Sequence, residues 1–290
     1  MKPEHEEFDR LLDKLASSAR SPRGSYSARN SWELLEKRIP FPKRKPELPL
    51  ILFRAAASLL LLLAGWYAYD LLRPVPLQTV STQGEIATVI LPDRSKVILN
   101  RYSALHYPVR FKGEKREVRL EGEAYFEVEK DTRHPFTVKA GTVDIQVLGT
   151  HFNVEAYRED ATVRTTLLEG SVAVTVPGKQ IVLSPDESAL YDRINKKLRH
   201  ETTPESVNET AWCRGEFYFN HLPLEEIARQ LSNAFNIKIR IPDPALRGYR
   251  IRAHFAQGEN LEQILNLLKD VGSFTYTQQN DTILLNTNPK

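Results

Sequence analysis

The sequence predicts a single-pass membrane protein: a short all-α segment, a spanning helix, an all-β domain, then a small α+β domain at the C-terminal end. Three observations carry this. Ala55 to Tyr69 holds no charge and includes five consecutive leucines, Leu59 to Leu63. Before that stretch apolar residues recur with a helical period, and from about residue 78 they alternate with a period of two. After about residue 210 the two periods are interleaved.

The spanning helix is expected over 48–72. Its uncharged core is shorter than the roughly 17–25 residues that cross a bilayer, so Arg54 and Asp70 count as its ends. Arg54 can snorkel to the headgroups, and Trp66, Tyr67 and Tyr69 suit the opposite interface. A soluble core helix would need a polar face, which five leucines in a row deny. A cleaved signal peptide is disfavoured by the charged, patterned region before the segment and by the lack of a small-x-small cleavage site. Lys37, Arg38, Lys43, Arg44, Lys45 and Arg54 precede the span and only Arg73 closely follows it, which predicts a cytoplasmic N-terminus and an outer, periplasmic C-terminal part.

Residues 1–47 hold 11 of the 40 basic and 8 of the 37 acidic side chains, leaving 29 of each in the remainder. The large part is thus electrically balanced and lacks the basic excess of a sequence-independent nucleic-acid binder. The single cysteine, Cys213, permits no internal disulfide.

In the N-terminal segment, Phe8, Leu11, Leu12, Leu15, Ala16 and Ala19 fall on one helical stripe. Pro22 and Gly24 break that pattern. A second helix is expected from Asn30 or Ser31 through Trp32, Leu35 and Ile39. Two such stripes bury little between themselves, so this segment is either a loosely ordered tail or an element that completes its core on a partner, with Trp32 as anchor. Pro40, Pro42, Pro46 and Pro49 predict an extended tether to the membrane.

Over 78–200 short strands separated by turns predict a barrel, sandwich or solenoid. They are expected around 86–90, 96–99, 116–120, 125–129, 136–139, 143–148, 152–157, 162–168, 171–176 and 180–183. Glu121, Glu123, Glu127 and Glu129 invite an acid–base reading, but odd-numbered residues share one strand face here and the even positions include Ala124, Phe126 and Val128. They are expected to form a solvated face. The seven histidines are scattered, with no paired spacing and no cysteine beside them, and phosphate-loop and nucleophile-elbow motifs are lacking. No catalytic residues, metal or cofactor are therefore expected.

Residues Arg199 to Thr210 read as a polar linker. Over 210–290 the order is strand (216–220), helix from Pro223 with Leu224, Ile227, Ala228, Leu231 and Phe235 on one stripe, strands 237–241 and 249–255, a helix capped by Asn260 with Gln263, and a hairpin about Asn280-Asp281. Two helices are expected on one face of a sheet.

The motifs Leu91-Pro92-Asp93-x-Ser95-x-Val97-x-Leu99-Asn100, Val118-x-Leu120-x-Gly122-Glu123-Ala124-x-Phe126-x-Val128, Pro135-Phe136-x-Val138, Leu148-Gly149-Thr150-x-Phe152-Asn153-Val154 and Leu168-Glu169-Gly170-x-Val172 resemble the periplasmic domain of the FecR family. Trp212, Gly215, Phe219, Pro223-Leu224 and Ile264-Leu265 resemble the C-terminal domain of FecR-like proteins, itself similar to the short N-terminal domain of secretins and TonB-dependent receptors. Arg94, and Asp186 after Pro185, stand where that family usually has glycine. The resemblance implies an inner-membrane anti-sigma factor that relays a signal from the signalling domain of a TonB-dependent outer-membrane receptor to an extracytoplasmic-function sigma factor. The sigma factor would be held by Phe8, Leu12, Leu15, Trp32 and Leu35. It also implies a candidate self-cleavage between Gly149 and Thr150, after which the halves would stay together as neighbouring strands. The rival readings are a membrane-anchored envelope scaffold with an inert tail and, without support from any polar cluster, an envelope hydrolase.

Overall fold

The computed structural model describes residues 4–18, 28–39, 48–272 and 274–288. The chain divides into two units, Met1–Arg73 and Pro74–Lys290.

The first unit is helical. α1, Glu4–Ser18, carries the expected stripe, and Phe8, Leu11, Leu12 and Leu15 are all exposed. α2, Ala28–Arg38, starts before both expected caps, so Asn30 and Ser31 lie within the helix. Ala19, the Pro22–Gly24 break and the tether prolines 40, 42 and 46 fall outside the described residues. Pro49 does not belong to a tether: it is the second residue of α3, Leu48–Leu72, where a missing N–H costs no hydrogen bond. Within α3, Ile51–Asp70 is long and apolar enough to cross a membrane. Its 20 residues, at about 1.5 Å each, match a hydrocarbon core of roughly 30 Å.

The second unit opens with strands β1 (Leu77–Ser81), β2 (Ala87–Ile90), β3 (Lys96–Leu99), β4 (Ala104–Pro108), β5 (Arg116–Glu127), β6 (Phe136–Ala140) and β7 (Val143–Val147). It continues through β8 (His151–Ala156), β9 (Thr162–Glu169), β10 (Val172–Val176), β11 (Lys179–Leu183), β12 (Glu187–Asp192) and β13 (Lys197–Thr202). They form two arrays, β1-β4-β5-β6-β7-β10-β11 and β2-β3-β5-β8-β9-β12-β13, with β5 in both. The two strands expected at 116–120 and 125–129 are thus one. Its first half pairs with β4 and β6, and from Gly122 onward it pairs with β8 and, from Ala124, also with β3. At Gly122 φ is +93°, and a Cβ there would lie 2.7 Å from Ser103 Cα, so glycine turns the strand from one array into the other without breaking it. The enclosed core includes Phe126 stacked on Phe152, with centroids 5.0 Å apart, and Phe136 edge-on at 6.3 Å.

Arg116, only 4% exposed, pins the other end of β5. Its guanidinium donates to Asp93 Oδ2 at 2.7 Å and to the carbonyls of His134 at 2.8 Å and Glu129 at 2.9 Å, and it lies over the ring of Phe136. Asp93 also accepts from the backbone N–H and hydroxyl of Ser95, which fixes the β2–β3 turn.

β1, β4, β12 and β13 were not expected. β13 alternates weakly and is polar, and becomes a strand through its ladder with β12. The expected linker from Arg199 to Thr210 is therefore no linker: β13 runs to Thr202 and a 3-10 helix follows at Ser206–Arg214.

The rest of the unit comprises β14 (Phe217–Pro223), α4 (Leu224–Phe235), β15 (Lys238–Arg240), α5 (Pro244–Arg247), β16 (Arg250–Phe255), α6 (Leu261–Gly272), β17 (Phe274–Gln279) and β18 (Thr282–Thr287). The α6 cap is a reciprocal box: the Gln263 N–H donates to Asn260 Oδ1 at 3.0 Å, and the Asn260 N–H to Gln263 Oε1 at 2.9 Å. Instead of one sheet there are two, β14-β16 and β15-β18-β17, with β15 parallel to β18. Their own core includes Phe219, Ile227, Ile264 and Phe274.

Arg94 at φ 72° and Asp186 at φ 62° both adopt the left-handed backbone. Arg94→Gly is accordingly expected to raise stability by about 0.5–1 kcal/mol. Gly122→Ala, which adds strain and a backbone clash, is expected to lower it by about 2–4 kcal/mol. Thermal unfolding of the purified protein followed by circular dichroism checks both; equal melting of Gly122→Ala and wild type would refute the bend constraint.

Candidate functional site at the docked C-terminal domain

The sequence-expected contact residues Phe8, Leu12, Leu15, Trp32 and Leu35 lie on α1 and α2 with 45–66% of their surface exposed. Gly149 and Thr150 lie where the chain passes from β7 in one array to β8 in the other. Gly149 has φ +146°, and a Cβ there would meet Lys130 Cα at 2.7 Å. Thr150 is buried and its hydroxyl has no hydrogen-bond partner among the described residues. β7 and β8 are not neighbours, so fragments cut here would be held by the β5–β8 and β7–β10 ladders, not by pairing of the two cut strands.

The expected acidic face differs at two residues: Glu127 is half-buried and paired with Lys96 at 3.1 Å, and Glu123 departs further. Glu121 and Glu129 are exposed, but Glu123 faces a cavity of about 60 Å³ between the β-rich and C-terminal domains. Glu155 and Tyr157 line it from the β-rich side, and Trp212, Phe217 and Asn233 from the other. The bend at Gly122 sets this position, since Ser103 Oγ accepts the Glu123 N–H at 2.9 Å. Asn100 Nδ2 donates to Glu123 Oε2 at 2.7 Å and Asn153 Nδ2 to Oε1 at 2.8 Å. Burial, and then the charge of Glu155 beside it in the β5–β8 register, push the Glu123 carboxyl from its ordinary 4.5 up to about 8. The two asparagines and Arg229 oppose that shift only in part.

Arg229, on α4, clasps the domains. Its guanidinium donates to Glu155 Oε1 at 2.7 Å and Oε2 at 3.1 Å, to Asp160 in the β8–β9 turn, and to Glu226 on its own helix. Asn233 Nδ2 adds a bond to Asp160 at 2.9 Å. Arg101 lies over the Phe217 ring at 5.9 Å. One cation against three carboxylates gives a bond that is strong while water is excluded and that weakens once the domains part. Burial pushes the thiol of nearby Cys213 up to about 12, which disfavours its thiolate.

Sequence reasoning missed Asn100, Asn153, Glu155 and Arg229. The first two lie in quoted motifs as lone amides beside buried apolar residues, which is the one signal available. Arg229 sits on the polar side of an amphipathic helix and carries no such signal.

Between 4.5 and 8 the folded protein holds the Glu123 proton that the unfolded chain releases. Stability therefore falls as pH rises through that window, by on the order of 2–4 kcal/mol, and levels off above it. Asp131 and Glu216, held at about 2 by hydrogen bonds from His134 and Arg214 respectively, titrate below the window. Unfolding of the detergent-solubilised protein between about pH 5 and about pH 8 is expected to show this slope in wild type and a shallower one in Glu123→Gln, where Glu209, whose carboxyl burial also raises, keeps a share. An unchanged slope in the variant would place the titration elsewhere.

Comparison with known proteins accords with this architecture. The FecR protein family matches residues 78–173, and the FecR, C-terminal family matches residues 216–285. Two crystal structures of a candidate anti-sigma factor from Parabacteroides distasonis, at 2.50 and 1.65 Å resolution, are similar at 30% identity and a TM-score of 0.66. They cover 74% and 73% of this chain, and all of their own length is covered. No curated protein matches the chain. With both domains matched and a relative of this identity covered throughout, the chain belongs to the FecR family of anti-sigma regulators.

Proposed function

We propose that this chain is an inner-membrane anti-sigma factor, with its N-terminus in the cytoplasm, that relays a signal from a TonB-dependent outer-membrane receptor to an extracytoplasmic-function sigma factor. The observation that carries the reading is the bare apolar stripe of α1 and α2, Phe8, Leu12 and Leu15 with Trp32 and Leu35, in a chain of anti-sigma family. Short helices with exposed apolar faces gain a core only on a partner. The basic flank before α3 supports the orientation. Family membership favours this reading over the inert scaffold. Residues 1–47 would hold the sigma factor and 210–290 would dock the receptor. Opening of the Arg229 clasp would be the step that receptor binding biases, since coupling requires a contact that differs between two states.

Trp32→Ala and Leu12→Asp in the full-length protein are each expected to reduce co-purification of the sigma factor about tenfold or more. Wild-type recovery with both variants would make the segment a plain anchor.

Self-cleavage at Gly149-Thr150 belongs to the same proposal. The Thr150 hydroxyl attacks the Gly149 carbonyl, the peptide C–N bond breaks, and the hydroxyl proton passes to the released nitrogen; water then hydrolyses the ester to a Gly149 carboxylate and restores the Thr150 hydroxyl. The buried, unpartnered hydroxyl and the glycine at φ +146° support it. On a denaturing gel wild type is expected to show two fragments divided at this bond and Thr150→Ala a single chain. An intact wild-type band at rest and on induction would remove the step.

A further inference from the structure

A second cavity, of about 250 Å³, opens on the β-rich domain away from the clasp. Its rim is cationic: Arg110, Lys115 and Arg119 line it beside Glu117, which Arg119 approaches to 4.0 Å, and Lys112 lies deeper with its ammonium buried. Its floor is apolar, from Val75, Phe111 and Val118, with Leu77 exposed at its edge. Val118 is buried and Phe111 packs edge-on to Phe136 at 6.1 Å, so the floor belongs to the folded core and not to a loose loop. His106 is tied to Thr79 at 2.7 Å, and the β1-β4-β5 ladder sets Thr79, His106 and Arg119 in one row.

The chain itself limits how far Val75, in the cavity wall, can lie from the end of α3. β1 pairs Leu77 with Pro108, and the Val109 N–H donates to the Pro76 carbonyl at 3.0 Å, so the basic segment from residue 110 to 115 is fastened beside residue 76. α3 ends at Leu72, and three residues on is Val75, in the cavity wall. Three residues reach at most about 11 Å, and Pro74 and Pro76 restrict the path. A headgroup layer is roughly 5–8 Å deep on each side of the hydrocarbon. A cationic rim over an apolar floor, held at that distance, matches a phosphodiester on a glycerol backbone.

We propose that this cavity binds the phosphate-bearing headgroup of an anionic phospholipid in the membrane that α3 spans; the inference rests on α3 being the membrane anchor. The occupied site would fix the β-rich domain against the bilayer, so that force or rotation applied at the C-terminal domain is resisted at the membrane end and not dissipated in residues 73–76.

The test is native mass spectrometry of the full-length protein released from nanodiscs with equal phosphatidylglycerol and phosphatidylethanolamine. Wild type is expected to retain phosphatidylglycerol in preference, and Lys115→Glu with Arg119→Glu to lower that preference about tenfold. Lys238→Glu with Arg252→Glu, an equal charge change on the C-terminal domain, is expected to leave it unaltered. Matching circular dichroism melts would show that the variants are folded. Equal retention of the two lipids by wild type, or equal loss in both double variants, would overturn the site. Displacement of phosphatidylglycerol by inorganic phosphate at the same concentration would overturn it in favour of a free-anion site, and displacement by an acidic peptide in favour of a protein partner. Extraction of the protein from membranes by alkaline carbonate would refute the anchor, and this proposal with it; an integral protein without lipid preference would refute the cavity alone.

Discussion

The structure after the span depends on the close approach of Gly122 to Ser103. Because no Cβ intervenes, β5 bends at φ +93° and joins two arrays that would otherwise be separate sheets. Ser103 then accepts the N–H of Glu123, which sets that carboxyl between Asn100 and Asn153 at the edge of the C-terminal domain. One steric constraint thus determines both the closure of the core and the chemistry of the domain boundary.

Two arginines organise charge around this strand, with different consequences. Arg116 sits at the start of β5 inside one domain, with Asp93 and backbone carbonyls satisfying it. All of these partners lie within the β-rich domain, so it serves the fold. Arg229 meets carboxylates from β8, from the β8–β9 turn and from its own helix, so its energy depends on the docked arrangement. Removing one partner of such a group costs about 3–5 kcal/mol, and exposing all of it to water costs far less. A contact of this kind suits the proposed relay, in which receptor binding would bias its opening.

In the proposed relay, the span separates a partner-seeking apolar stripe from the unit that holds the clasp. A helix that is apolar on every side transmits no chemical information by itself; it fixes where the two ends are. Information must then travel as a change in position or integrity of what lies behind Leu72. The clasp, the Gly149-Thr150 crossover and the cationic cavity would each bear on that, because each would govern how the β-rich domain is held together or held in place.

The sequence by itself determined the span, because length and absence of charge are properties of a contiguous stretch. It determined the α6 capping box and the α4 stripe for the same reason: Asn260 and Gln263, or Leu224 and Ile227, act within a few residues of each other. The motifs around Gly122 and Gly149 were legible as family features, whereas Asn30 or Ser31 as the start of α2 was missed by a short margin because either residue also tolerates a helix interior. Only the tertiary structure decided that β13 is a strand, since Leu198 and His200 have no pattern of their own and gain their ladder from β12. Only it brought Glu123 under the C-terminal domain and Arg229 against Glu155, residues 74 positions apart. Periodicity reports which face of an element is buried against its own sheet, but it carries no record of what a separate domain lays over the other face.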